Sequence, residues 1–191
     1  MSFETRAVES KDVPILSRLL FDAFARSPFF MWTFDTTDRE HVLTDYFESV
    51  LHSSIQTGEA FVTAGLEGLA IWEGLKTDAP RAQATSSSRP INYVQAISIL
   101  KRFRPIEPHV YLSILATAPR EQRRGVARAL ICPVLDDLSY RGFDVYLETD
   151  REENLGFYRG LGFEITRQIQ LGAGPLMWGM KRGCSRAAQS S

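Results

Sequence analysis

The stretch Val110-Tyr111-Leu112-Ser113-Ile114-Leu115-Ala116, closed by Pro119 and followed by Glu121-Gln122-Arg123-Arg124-Gly125-Val126-Ala127-Arg128, reads as a strand, a charged loop and the start of a helix. The first run is short and largely apolar, as a buried strand requires, and proline ends it. Val126, Ala129, Leu130, Val134 and Leu138 then recur at helical spacing, and Gly142 supplies the stop. Pro133 falls inside this helix, where loss of a backbone N–H is expected to bend it. A strand, a basic loop with glycine and a helix start together make an anion site. Unpaired N–H groups point outward, the macrodipole adds about half a positive charge, and glycine allows close approach. Arg123, Arg124 and Arg128 surround Gly125, so a phosphate-bearing cofactor is the natural occupant; a solvated basic helix end is the plain alternative. The usual nucleotide loops do not compete: there is no Gly-x-x-x-x-Gly-Lys-Ser/Thr, and Gly172 with Gly174 lies in a hairpin turn rather than before a helix.

Outward from this stretch, Val145 to Thr149 reads as a buried strand, Asn154 to Leu161 as a short helix closed by Gly162, and Phe163 to Leu171 with Leu176 to Lys181 as a final hairpin. Upstream, alternation over Phe3 to Val8 predicts a strand, and Ser10, Asp12 and Pro14 open a helix through Phe24. A second helix spans about Asp38 to Ser54. Pro28-Phe29-Phe30-Met31-Trp32 lies between them as an apolar connection, either a buried loop or one wall of a substrate pocket. Ala60 to Ala64 and Leu69 to Glu73 form a hairpin, Gly74 to Pro90 a mobile loop, and Ile91 to Phe103 a helix before a strand near His109. The order predicts an α/β (α+β) fold, one domain over 3–181, and a flexible tail over 182–191.

The 191 residues suffice for one core, and a net charge of −1 with 44% hydrophobic and 24% charged residues describes a soluble globular chain. No domain-scale basic field exists, so nucleic acid is not an expected partner; no apolar run reaches the ~20 residues of a membrane span. Cys132 and Cys184 offer neither a disulfide framework nor metal-ligand spacing, which fits a reducing cytoplasm and a metal-free site.

Gln122-Arg123-Arg124-Gly125-Val126-Ala127 resembles the Gln/Arg-x-x-Gly-x-Gly/Ala signature of the GNAT superfamily of N-acetyltransferases. Asn154-Leu155-Gly156-Phe157-Tyr158-Arg159-Gly160-Leu161-Gly162-Phe163 is similar to the end of that family's domain. Within the superfamily the pattern is most like the puromycin N-acetyltransferase group, in Asp12-Val13-Pro14, Pro105, Glu107-Pro108, Leu147-Glu148-Thr149, Asn154 and Phe157-Tyr158. The resemblance implies a mixed, mostly antiparallel twisted sheet flanked by helices, whose central parallel strands splay to admit acetyl-CoA. Backbone at Leu115, Ala116 and Thr117 would pair with pantetheine, with the Leu115 N–H as an oxyanion donor. N–H groups of Gln122 to Ala127 would hold the pyrophosphate, with Arg123, Arg124 and Arg128 beside it. Asn154 would hold pantetheine and Tyr158 would protonate the departing CoA thiolate; read without the family, Tyr158 is more simply a core or rim aromatic whose hydroxyl finds a partner.

Acetyl transfer needs a neutral amine, yet an alkyl ammonium titrates near ~10.4. Many members of the superfamily place a glutamate on the preceding strand, where Tyr111 stands here. His109 shares the parity of Tyr111 and Ser113, which directs all three to the substrate side and makes His109 a candidate base beside the alternative of a structural histidine. Phe29, Phe30, Trp32, Trp72 and Tyr111 would line an aromatic pocket for a small-molecule amine. Two other readings stay open, an acyl-CoA-binding sensor without turnover and a protein-amine acetyltransferase; the sequence does not reveal the oligomeric state.

Overall fold

The computed structural model describes residues 3–75 and 89–184. Residues 76–88 of the expected loop and 185–191 of the expected tail lie outside the described residues. Seven strands form one sheet in the order β1-β2-β3-β4-β5-β7-β6. They are β1 Thr5–Ala7, β2 Ala60–Thr63, β3 Gly68–Glu73, β4 His109–Thr117, β5 Asp144–Thr149, β6 Glu164–Gln170 and β7 Leu176–Arg182. All neighbours are antiparallel except β4 and β5, which run parallel. A parallel pair needs a crossover, and helix α5 (Val126–Tyr140) supplies it.

Two buried clusters cover the two faces of the sheet. On one face, α1 (Val13–Phe24), α2 (Pro28–Thr33), α3 (Arg39–Thr57) and α4 (Ile91–Phe103) pack on Val62, Leu69, Ile71, Ile114 and Ala116. On the other, α5 and α6 (Leu155–Arg159) pack on Ala70, Trp72, Val110, Leu112, Val145 and Leu147. Strand alternation explains both lists, with one interruption in β4. Leu112 pairs with Trp72 and Ile114 with Ile71, so Ser113 is an extra residue, a β-bulge. Its hydroxyl donates to the Ile71 carbonyl at 3.2 Å. Residues 110 and 112 therefore face α5, whereas 114 and 116 face the α1–α4 layer. The uniform parity expected for His109, Tyr111 and Ser113 stops at the bulge.

Two expectations are corrected. The apolar connection after α1 is itself a helix, α2, because Ser27 accepts the Phe30 N–H at 3.3 Å and Pro28 occupies the first turn. Helix α5 holds Pro133 inside it, where the sequence places it, with the ring on the exposed outer side. Arg182 closes β7, and the Cys184 N–H donates to Asp144 at 2.9 Å, so the tail is tied down through 184.

Candidate functional site

The β4–β5 ladder ends early. Its last pair is Tyr111 with Tyr146; beyond it β5 stays paired only to β7, and β4 residues 112–117 have no partner on β5. Leu115, Ala116 and Thr117 thus present backbone groups along an open edge. The Leu115 side chain packs toward α5, and Ala116 is buried in the opposite cluster.

The helix start lies at the end of β4. Gly125 caps α5 at φ +91°, and Arg123 takes φ +62°. A β-carbon added at Gly125 would meet nothing within 4 Å, so the backbone there is bare. No side chain caps α5, and its first turn carries no acid. Gln122, Arg123, Arg124 and Arg128 are exposed, Ala127 is half-buried, and Val126 is buried against the sheet. Arg124 pairs with Glu121 at 2.5 Å, while the Arg128 guanidinium lies 5.9 Å from the Phe157 ring centre. Cations gathered at the positive end of a helix dipole oppose it unless an anion comes between them.

Tyr158 is buried on α6, edge-on to Phe157 and Phe163. Burial, and next the charge of Asp150, push its phenol well above the usual tyrosine range. Asn154 does not face the opening freely, because its amide donates to the Thr149 hydroxyl at 3.4 Å.

The aromatic residues expected to line a pocket divide. Phe29 is buried, edge-on to Phe30 and Tyr93; Phe30 packs with Phe24, Phe34, Tyr46 and Phe47. Trp32 is half-buried against Gly174 of the β6–β7 turn, where any β-carbon would enter its indole ring, and its carbonyl accepts the Asn92 amide at 3.3 Å. Trp72 is not a pocket wall: strand alternation turns it toward α5, where it is 1% exposed in the core. Tyr111 is half-buried and already engaged. Its hydroxyl donates to Glu148 at 2.6 Å, Arg104 lies 3.6 Å over its ring, and Tyr146 stacks at 6.4 Å. His109 is edge-on to Tyr146, with Nδ1 2.9 Å from the Glu107 carbonyl oxygen. It stands four residues before Ser113, about 13 Å at a strand's rise, where β4 and β5 are still paired.

A carboxylate holds the centre of this face. The Glu148 side chain is 2% exposed and meets Arg104 at 3.2 Å; Arg104 also lies 3.9 Å from Glu73. Burial and the Glu148 charge keep the Tyr111 phenol protonated. Tyr146 shows the same upward shift, and its buried hydroxyl has no hydrogen-bond partner among the described residues.

Residues 85–163 match the acetyltransferase (GNAT) family. A crystal structure described as histone acetyltransferase HPA2 and related acetyltransferase from Corynebacterium glutamicum superposes with a TM-score of 0.67 at 20% identity, covering 98% of this chain and 99% of that one. The fold is a GNAT fold. The PaiA N-acetyltransferase of Thermoplasma acidophilum, solved in complex with coenzyme A, superposes with a TM-score of 0.59 at 14% identity over 96% of this chain and 99% of that one. An uncharacterised N-acetyltransferase of Schizosaccharomyces pombe is 24% identical over 87% of this chain and 76% of its own length. Sequence reading singled out neither Glu148 nor Arg104 for this site: 44 residues separate them, and only the pairing of β4 with β5 brings them together.

Proposed function

We propose that this protein moves an acetyl group from acetyl-CoA to a primary amine of a small molecule, releasing CoA. The observation that carries the proposal is the open β4–β5 edge, bounded by an uncapped helix start ringed with arginines at one end and by a buried tyrosine on α6. The bare backbone at Gly125 fits a pyrophosphate, which needs close approach more than side chains.

Acetyl-CoA supplies the acetyl group as a thioester, already activated toward an amine. The N–H groups of Gln122 to Ala127 would hold its pyrophosphate, with Arg123, Arg124 and Arg128 around it. Leu115, Ala116 and Thr117 would pair with the pantetheine arm through backbone groups that β5 leaves unmatched, and the Leu115 N–H is the candidate oxyanion donor. Asn154 serves the turn before α6 through Thr149. Tyr158 donates a proton to the leaving thiolate; its raised proton affinity means that it carries that proton at neutral pH.

The amine must shed a proton. Glu148 is better placed for the incoming ammonium than His109, since it lies beyond the last β4–β5 pair, toward the opening. Glu148 is already engaged by Arg104 and by the Tyr111 hydroxyl, so it holds the charge of the amine while water carries the proton away. Phe30, Trp32 and the narrower likeness to puromycin N-acetyltransferases favour a small acceptor.

Release of free CoA thiol across a panel of small amines, with a peptide amine as comparison, tests this reading. Turnover on a small amine supports it, and turnover on the peptide alone would favour protein acetylation. Tight acetyl-CoA binding without thiol release would favour a sensor, a reading to which the occupied Glu148 lends weight.

A further inference from the structure

Asp150 stands in the turn between β5 and α6, yet its carboxylate serves an element 121 residues away. It accepts the Ser27 hydroxyl and, at 2.9 Å, the Phe29 N–H, the cap and first turn of α2. The same turn is tied to α6 by Thr149, whose hydroxyl accepts the Arg151 N–H at 3.3 Å and the Asn154 amide at 3.4 Å. Helix α2, which carries Phe30 and Trp32, and helix α6, which carries Tyr158, therefore hang on one short piece of chain. Ser27 already caps α2 through the Phe30 N–H, so a full negative charge exceeds what the cap needs. Among the described residues no lysine or arginine forms an ion pair with Asp150.

We propose that Asp150 is a positioning residue of the transfer reaction, fixing the acceptor-side helix α2 to the turn that leads into the helix of Tyr158. The inference rests on the reading of Tyr158 as proton donor. Charged groups on the elements around the phenol are Arg151, Glu152 and Glu153 before α6, Arg159 at its end, and Arg128 of α5 above Phe157. Asp150 is the one whose charge bears on Tyr158, after burial itself. A negative neighbour opposes the phenolate, so removing the charge must let the proton leave at lower pH.

The test is the pH profile of turnover, with KM for the best acceptor, in wild type, Asp150→Asn, Asp150→Glu, Ser27→Ala and Tyr158→Phe. Asp150→Asn keeps an acceptor oxygen for Phe29 but loses the charge; its alkaline limb should move to lower pH, and KM should rise several-fold. Ser27→Ala and Asp150→Glu should raise KM and leave the limb in place; a limb displaced equally in Asp150→Glu would overturn the charge argument. If Asp150→Asn behaves as Ser27→Ala, with the limb unmoved, Asp150 is a helix cap and the proposal falls. Tyr158→Phe separates the two readings. Lost turnover there with an unmoved limb in Asp150→Asn sinks this inference alone, while undiminished turnover in Tyr158→Phe sinks the donor reading and this inference with it.

Discussion

Replacing Gly68 by alanine should damage both stability and cofactor binding. Gly68 opens β3 beneath the first turn of α5, where a β-carbon would stand 2.6 Å from the Ala116 carbonyl oxygen, 2.7 Å from Val126 Cγ1 and 3.3 Å from Leu130 Cδ1. Carbon contacts settle near ~3.5 Å, so α5 must move away from β3 by about 0.8 Å. The carbonyl belongs to backbone and cannot turn aside. Overpacking of this kind costs about 2 kcal/mol, which in a chain of this size lowers Tm by about 4–8 °C. Val126 follows Gly125 directly, so the displacement reaches the N–H groups of the proposed pyrophosphate site. Acetyl-CoA affinity should fall about tenfold, or ~1.4 kcal/mol. Urea unfolding and calorimetric titration read the two effects. Pairing the substitution with Val126→Ala should recover only the side-chain part, because the Ala116 carbonyl remains. An unfolding free energy within about 0.5 kcal/mol of wild type, with unchanged affinity, would refute the close packing of α5 on β3.

Gly125→Val meets open space, so its penalty lies in the left-handed φ and in the access it denies; calorimetry should show acetyl-CoA binding lost, and wild-type affinity would remove the pyrophosphate assignment. Tyr158→Phe keeps the ring packing and should lower turnover by roughly 10²- to 10⁴-fold with little change in acetyl-CoA affinity; steady-state kinetics beside a binding titration decide, and unchanged turnover would make Tyr158 a packing residue. Asp12 is 3% exposed and bound by Arg6 at 2.6 and 2.9 Å, which holds its carboxyl below the usual carboxylate range. Its contribution is present above the unfolded value near ~3.9 and is lost as pH falls through the folded one. Asp12→Asn should cost about 2 kcal/mol at pH 7 and flatten the acid limb of stability in urea unfolding across pH; an unaltered acid limb would show that the Arg6 pair is not what acid breaks.

Most of the sheet was legible because each strand is a short apolar or alternating run bounded by glycine or proline, as β2, β3, β5 and β7 illustrate. The helix start at Val126 was legible from Gly125 and the heptad-like apolar face behind it. Helix α2 was readable in principle from Ser27-Pro28, a cap and first-turn signature, but six residues give too little periodicity to outweigh the look of a loop. Trp72 was placed in the pocket because aromatic character does not say which side of a strand a residue takes; only the register with Leu112 does. The Glu148 cluster was hidden for a different reason. Its members come from β4, β5 and the chain after α4, and ion pairs between distant segments leave no local periodicity to read.

The bulge at Ser113 has a further consequence for anyone altering this strand. Odd-numbered positions before it look toward the α1–α4 layer, and odd-numbered positions after it look toward α5. Randomising 109 and 111 therefore probes a different compartment from randomising 115 and 117, although all four share one phase in the sequence. Ser113 acts as a half-step between two reading frames of side chains. Deleting Ser113 itself would restore plain alternation and leave Ile114 and Ala116 in the core they already occupy, whereas losing a residue beyond it, such as Ile114, would send Leu115 into that core and turn Ala116 toward α5.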